Sequence, residues 1–357
     1  MFPIIPADSA TGASGNTEGI FTFGCCYYTE CNLVSDTGVI SADVSYGAHN
    51  TGPAKAYHTA TEYGGDKGIS GFGRAPSYGY GTYTNLISNT GVVASNVSSA
   101  ATARRTLAAC SYGEDKGMFG FGSIPPHGGG VMVAITNLVS NAGVVASDQA
   151  ATTGTARGRL AACEYDGDKA IFGFGYYGSN YDMTNLVSNT GVVASDQAAT
   201  TGTARSELAA CSYGGDKGIF GFGNDGSVCD ITNLVSNAGV VASDVTGVGT
   251  ARKQLSACEY GGNKGIFGFG WDVSSSTAVT NLVSNTGVVA SDQATVTGTA
   301  RQYLAGCEYG QDKGIFGYGE SGPKRNMTNL VSNTGVVSSD VAGVGTARSY
   351  LNACSFN

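Results

Sequence analysis

The sequence is poor in the residues from which most catalytic centres are built. It has three histidines, His49, His58 and His127, and a single tryptophan, Trp271. A histidine metal centre or a Ser-His-Asp triad therefore has almost no material. Charged residues make up 13% of the chain and there are 7 prolines. No apolar run reaches the ~18 residues that a membrane-spanning helix needs. Acids outnumber basic residues, 27 to 19, so general nucleic-acid binding lacks its basic footprint. The start of the chain, Met1-Phe-Pro-Ile-Ile-Pro-Ala-Asp, has neither a basic segment nor a long apolar core, and no Sec-type signal peptide is expected. Capped segments with helical periodicity are also missing, which argues against a helical solenoid. Glycine is what the chain has in excess: 56 of 357 residues, about twice the usual share. No strict Gly-X-Y period accompanies it, so collagen is excluded. With 41% apolar residues, 19 tyrosines and 14 phenylalanines, the chain can fill a core.

Three words recur seven times. Asn-Leu-Val or a near copy starts at Asn32, Asn85, Asn137, Asn185, Asn233, Asn281 and Asn329. Gly-Ile-Phe-Gly-Phe-Gly or a variant starts at Gly19, Gly68, Gly117, Ala170, Gly218, Gly265 and Gly314. Thr-Ala-Arg-x-x-Leu-Ala-Ala-Cys ends at Cys110, Cys163, Cys211, Cys258, Cys307 and Cys354, with Pro53 to Thr61 as a diverged copy. Each unit reads as four strands: A over 205–213, B over 218–223, C over 232–235 and D over 240–243, joined by Gly-Gly-Asp-Lys and Ser-Asn-Ala-Gly turns. Four strands in a unit of this length match a propeller blade. The sequence opens with B, C and D and closes on a lone A. Pairing of that A with the first B would remove two sheet edges. The expected fold is all-β: a tail at 1–18, then a seven-bladed β-propeller of four-stranded blades over 19–357, closed by the C-terminal strand A.

The motif Asp-Lys-Gly-Ile-Phe-Gly-Phe-Gly resembles strand B of the Kelch repeat, and the arginine and small apolar residues before it resemble Kelch strand A. The chain departs from that family in having Gly-x-Gly for the double glycine and Val240-Val241 where a strand-D tryptophan is usual. Repeats in the style Thr-Asn-Leu-Val-Ser-Asn-Thr-Gly-Val-Val also resemble those of tailed-phage virion and marine-metagenome proteins. This second resemblance implies a virion location; otherwise cytoplasmic synthesis is expected.

Strands and turns are nearly copied between units, whereas the B-to-C loop changes in length and chemistry. These loops carry Tyr27, Tyr28, Tyr78, Tyr80, Tyr83, His127, Tyr176, Tyr177, Tyr181, Asp225, Trp271, Asp272, Lys324 and Arg325. Strand direction puts them on one face with the D-to-A connections. Drift alone would favour small polar residues; the tyrosine load favours binding. These are the candidate ligand residues, for a cell-surface glycan or protein. Unequal loop lengths place any pocket away from the sevenfold axis.

Lys55, Arg104, Arg157, Arg205, Arg252, Arg301 and Arg348 hold one repeat position, and Asp43, Asn96, Asp148, Asp196, Asp244, Asp292 and Asp340 hold another. They read as a structural set of Asp–Arg pairs or Arg–backbone bonds tying neighbouring blades; an anion site at the channel mouth is the functional alternative. The Asp-Lys pairs at the A-to-B turn read as turn chemistry. The repeated cysteines read as small buried thiols, with a Cys25 or Cys26 to Cys31 disulfide left open. No cofactor and no metal site are expected. The functional expectation is a non-enzymatic recognition protein, a virion-displayed adhesin or receptor-binding module held to the virion or a scaffold by the tail, without membrane insertion. The alternatives are a structural virion part whose loops contact other subunits, and an enzyme. Copper-oxidase chemistry would have one loop histidine, His127, and a glycoside hydrolase would need a carboxylate pair that nothing singles out among Glu30, Asp182, Asp225, Asp230, Asp272 and Glu320.

Overall fold

The computed structural model describes residues 18–25, 28–45, 55–74, 79–125, 130–149, 154–197, 202–293 and 298–356. All of the expected tail except Glu18 lies outside these residues. The described chain contains strands and no helix, in seven antiparallel sheets of three or four strands and a separate two-stranded hairpin of Tyr176–Tyr177 and Ser179–Asn180, an arrangement compatible with a propeller-like repeat. Sheet five is representative: a first strand Ala209–Tyr213, a second Lys217–Asn224 and a third Val228–Val235. Sheets two, three, four, six and seven take their first strands from Thr59–Tyr63, Ala108–Tyr112, Ala161–Tyr165, Ser256–Tyr260 and Ala305–Tyr309. Sheet one is built from both ends of the chain. Its second and third strands are Glu18–Thr22 and Glu30–Val34, and Asn352–Phe356 pairs with Glu18–Thr22 in the register Glu18↔Phe356 to Thr22↔Asn352. Each first strand contacts those of the sheets before and after it, including sheet one with sheets seven and two.

Among the described residues the fourth strand is short: two-residue strands occur at Val44–Ser45 and Val97–Ser98, and in sheet five the single bridge Thr232↔Val245 stands at that position. The buried asparagine of Asn-Leu-Val ties this segment down in each case: Asn233 Nδ2 donates to Ala242 O at 3.0 Å and to Asp244 Oδ1 at 2.9 Å, and Asn32 and Asn85 make the equivalent bonds in sheets one and two. The Ser-Asn-Ala-Gly turn forms as expected, with Gly239 at φ 73° and its N–H on Ser236 O at 2.8 Å.

Glycine is needed where sheets meet. A Cβ on Gly221 would lie 2.6 Å from Cζ of Phe267 in sheet six. The second glycine of Gly-x-Gly donates to the next sheet's arginine carbonyl, as in Gly223 N to Arg252 O at 2.9 Å, and equivalent bonds run from Gly24 to Lys55 and from Gly319 to Arg348. The repeated thiols lie against glycine too, Cys163 Sγ facing Gly218. All nine described cysteines are unbridged, Cys25 and Cys31 included; Cys26 lies outside the described residues.

The arginines are fully buried. Arg205 donates through Nε to Phe222 O (2.9 Å), through Nη1 to Thr203 O (3.1 Å) and through Nη2 to Asn233 Oδ1 (2.6 Å). Its guanidinium lies 4.0 Å from the ring centroid of Phe174 in sheet four. Neighbouring sheets are thus tied by stacking and by the glycine bonds above. The expected Asp–Arg pairs across sheets are corrected: Asp244 approaches Arg205 of its own sheet, at 3.9 Å, and its main bonds go to Thr203 N and Oγ1. Total burial also removes these arginines from any channel mouth. Desolvation pushes the Arg205 guanidinium down to about 10, still protonated at neutral pH. The turn reading of Asp-Lys fits: Asp216 pairs with Lys217, and Asn237 of the neighbouring turn donates to its Oδ2 at 3.0 Å.

One interface departs from the pattern, between sheets one and two. Thr22 stands where the other sheets have glycine, Ser70 where the other six have phenylalanine, and His58 where six have leucine. The three changes compensate each other. Thr22 has room because Ser70 carries no ring, and His58 fills the space, edge-on to Phe23 at 5.7 Å and bonded through Nε2 to Thr22 Oγ1 at 2.9 Å. Lys55 replaces arginine in the same sheet in which Asn96 replaces aspartate, and its amine donates to Ser70 O at 3.1 Å.

Burial pushes His58 from 6.5 down to about 3 and Lys55 from 10.5 down to about 7. In both intervals the unfolded chain binds a proton that the folded chain does not, so stability rises with pH. Urea unfolding is expected to show stability lost as pH falls from 6.5 towards 3, and a further rise from pH 7 to 9.5 with a slope of up to about 1.4 kcal/mol per pH unit. Lys55→Met should flatten the alkaline rise; an unchanged slope would refute the assignment.

Candidate ligand face and cavity

The residue that opens each first strand bridges the residue that leaves the second, as in Ala56↔Arg74, Arg105↔Ser123, Gly158↔Tyr176, Ser206↔Asn224, Lys253↔Trp271 and Gln302↔Glu320. The B-to-C loops and the approach to the first strands therefore share one end of the sheets. In sheet five the loop is itself a hairpin extension, with Gly223↔Cys229 and Asn224↔Val228 paired and Asp225 Oδ1 accepting from Ser227 N at 2.9 Å.

The candidate loop residues form local groups rather than one site. Lys324 Nζ lies 5.2 Å from the Tyr28 ring, Arg105 5.3 Å from Tyr80 and Arg159 5.7 Å from Tyr176. Tyr181 donates to Tyr177 O at 3.3 Å. Asp272 accepts from Ser274 N and Ser275 N at 2.7 and 2.8 Å, a turn-capping role. Tyr83 and Tyr177 are exposed, Trp271 is half-buried, and Arg325 N bonds Gly319 O. Tyr27, Tyr78 and His127 lie outside the described residues.

The residues brought together by the fold are others: the second x of Thr-Ala-Arg-x-x-Leu. Tyr57, Thr106, Arg159, Glu207, Gln254, Tyr303 and Tyr350 all adopt left-handed backbone, φ 53–58°. Each donates its N–H to the carbonyl of its counterpart one sheet back. The bonds run Thr106 to Tyr57, Arg159 to Thr106, Glu207 to Arg159, Gln254 to Glu207, Tyr303 to Gln254, Tyr350 to Tyr303 and Tyr57 to Tyr350, at 3.0–3.4 Å. The seven bonds end on the residue where they began. Left-handed backbone costs about 1–2 kcal/mol per non-glycine residue, which the inter-sheet bond offsets. Main chain is constant here while side chains vary.

These seven residues, with His58, Arg105, Leu107 and Leu160, line a cavity of about 490 Å³. The cavity draws a residue from every sheet: loop lengths vary from unit to unit, while the cavity is set by the approach to the first strands. One wall is aromatic. Tyr303 stacks on Tyr350 at 3.9 Å, and Tyr57 follows at 4.5 Å. The opposite wall is charged: Glu207 accepts from Arg159 Nη1 at 2.9 Å and from Gln254 Nε2 at 2.8 Å, with Lys253 Nζ at 3.3 Å. Burial, together with the neighbouring phenols, raises the Tyr350 hydroxyl well above its ordinary value, so it stays a hydrogen-bond donor. A second cavity, of about 180 Å³, lies between the same first strands and is lined by alanine, the repeated thiols and Glu62, Glu164, Glu259 and Glu308. Sequence reasoning passed over the larger cavity although its signal was present: the two x positions are the variable letters inside an otherwise copied word.

Among the described residues no group of three or more His, Cys, Asp and Glu is placed to hold a metal, and no helix is long and apolar enough to cross a membrane. No protein-family model matches the chain, and no curated protein matches it.

Proposed function

We propose that the seven sheets are the blades of a closed, Kelch-like β-propeller, and that this propeller is a recognition module binding a cell-surface glycan or protein through its loop-bearing end. The pairing of Asn352–Phe356 with Glu18–Thr22 and the cycle of seven inter-sheet bonds support the closure. The observation that carries the functional reading is the constant left-handed main chain presenting tyrosine, threonine, arginine, glutamate and glutamine around one cavity. Structural positions in this chain are copied, whereas these and the loops are diversified, as a recognition surface requires. Residues 1–18 would hold the module to a virion or scaffold.

A second reading, an assembly part, is favoured by the first valine after each Ser-Asn-x-Gly turn. Val39, Val92, Val144, Val192, Val240, Val288 and Val336 are 60–66% exposed, one per repeat, a pattern suited to broad contact with other subunits. The two readings separate in a glycan-array and cell-binding assay. The intact chain would be run beside a folded chimera whose B-to-C loops are all replaced by one short Gly/Ser/Asn loop, and beside Val→Ser variants of the turn. Recognition predicts binding by the chain that weakens in the chimera and survives in the valine variants. A chain that binds no glycan and no cell refutes it.

A further inference from the structure

We propose that the cavity between the first strands takes an acidic saccharide residue, a pyranose ring bearing a carboxylate. This rests on the recognition reading above and names its ligand class. The cavity, at about 490 Å³, lies in the range of small-molecule sites, about 300–1,000 Å³. The Tyr303–Tyr350–Tyr57 wall offers ring surface to the C–H face of a sugar and phenol hydroxyls to its oxygens. The charges then decide which sugar. Glu207 is already held by Arg159, Gln254 and Lys253. Arg105 is different: it lines the cavity, sits 5.6 Å from the Tyr57 ring, and has no acidic partner among the described residues. Its buried Nε has no hydrogen-bond partner there either. Among the residues that line the cavity, Arg105 and Arg159 against Glu207 leave one positive charge in excess, in a chain whose net charge is −8. A guanidinium of this kind pairs bidentately with a carboxylate. The smaller cavity, with its four glutamates, repels the same group. The carboxylate is therefore placed on Arg105, with the ring against the tyrosines.

The test is calorimetric titration of the full chain with D-glucuronate, D-glucose and inorganic phosphate, for the wild type, Arg105→Gln, Tyr350→Leu and the turn variant Val240→Ser, each checked for folding by thermal denaturation. Glucuronate is expected to bind about tenfold or more tightly than glucose. Arg105→Gln should remove that preference, Tyr350→Leu should weaken both sugars, and Val240→Ser should change neither. Glucose binding as tightly as glucuronate, phosphate competing as well as glucuronate, or Arg105→Gln leaving the preference intact would overturn the proposal. Array binding that depends on the loops with no glucuronate in the cavity would overturn it while leaving the recognition reading standing; a blank array would remove both.

Discussion

A chain ending at Tyr350 is expected to lose its cooperative unfolding transition and to run as aggregate on size exclusion. The shortened chain lacks Leu351, Cys354 and Phe356, all buried, and leaves the Glu18–Thr22 strand with no partner along one edge. Each large apolar side chain contributes about 1.5–3 kcal/mol, and the lost ladder and the two bonds between Ser355 and Glu308 add to this. The sum approaches the whole stability of a typical domain, about 5–15 kcal/mol. The exposed strand edge then invites pairing with another copy. Supplying residues 346–357 as a separate peptide should restore solubility in part. A truncated chain that melts cooperatively within a few degrees of the intact one would show that the terminal strand is dispensable.

Arg205→Met should destabilise the protein by about 3–5 kcal/mol, read as a lower urea midpoint, because it removes one side of a buried polar network. Three acceptors lose their donor: Phe222 O, Thr203 O and Asn233 Oδ1. The stacking on Phe174 loses its charge, although methionine retains some contact. Adding Asn233→Leu should cost less than the sum of the single changes, since the orphaned amide oxygen goes with it. Sheet two shows that the pair can drift together, with Lys55 and Asn96 in the two positions. A loss under about 1 kcal/mol in the single variant would refute the network.

The repeat words made the strands and turns legible. Lys217–Asn224 and the glycine turn at Gly239 fall where period and turn chemistry put them. Three features were hidden for physical reasons. The fourth strand looked like Val240 to Ser243, where the chain makes the single bridge Val235↔Val241 and the Asn233 side chain reaches the Ala242 carbonyl, a contact that no strand pattern encodes. The second glycine of Gly-x-Gly serves a neighbouring sheet, so its bond to Arg252 O is not local. The arginine and aspartate were found as repeated positions, yet their partners were misassigned, because sequence proximity favoured the next unit over the same one. Of the site, the loops were legible as variable. The cavity was not, because its residues occupy a left-handed position that no residue preference at Glu207, Tyr303 or Tyr350 announces.

The cycle of main-chain bonds has a consequence for heredity. The hydrogen bonds of Tyr57, Thr106, Arg159, Glu207, Gln254, Tyr303 and Tyr350 are made by atoms that every amino acid but proline possesses. Near-identical repeats favour unequal crossing-over between copies of a gene, and each exchange would import a unit that fits its neighbours whatever letter it carries. The seven positions thus behave as a shuffled alphabet: recombination can respell the cavity one letter at a time without disturbing the frame on which the word is written.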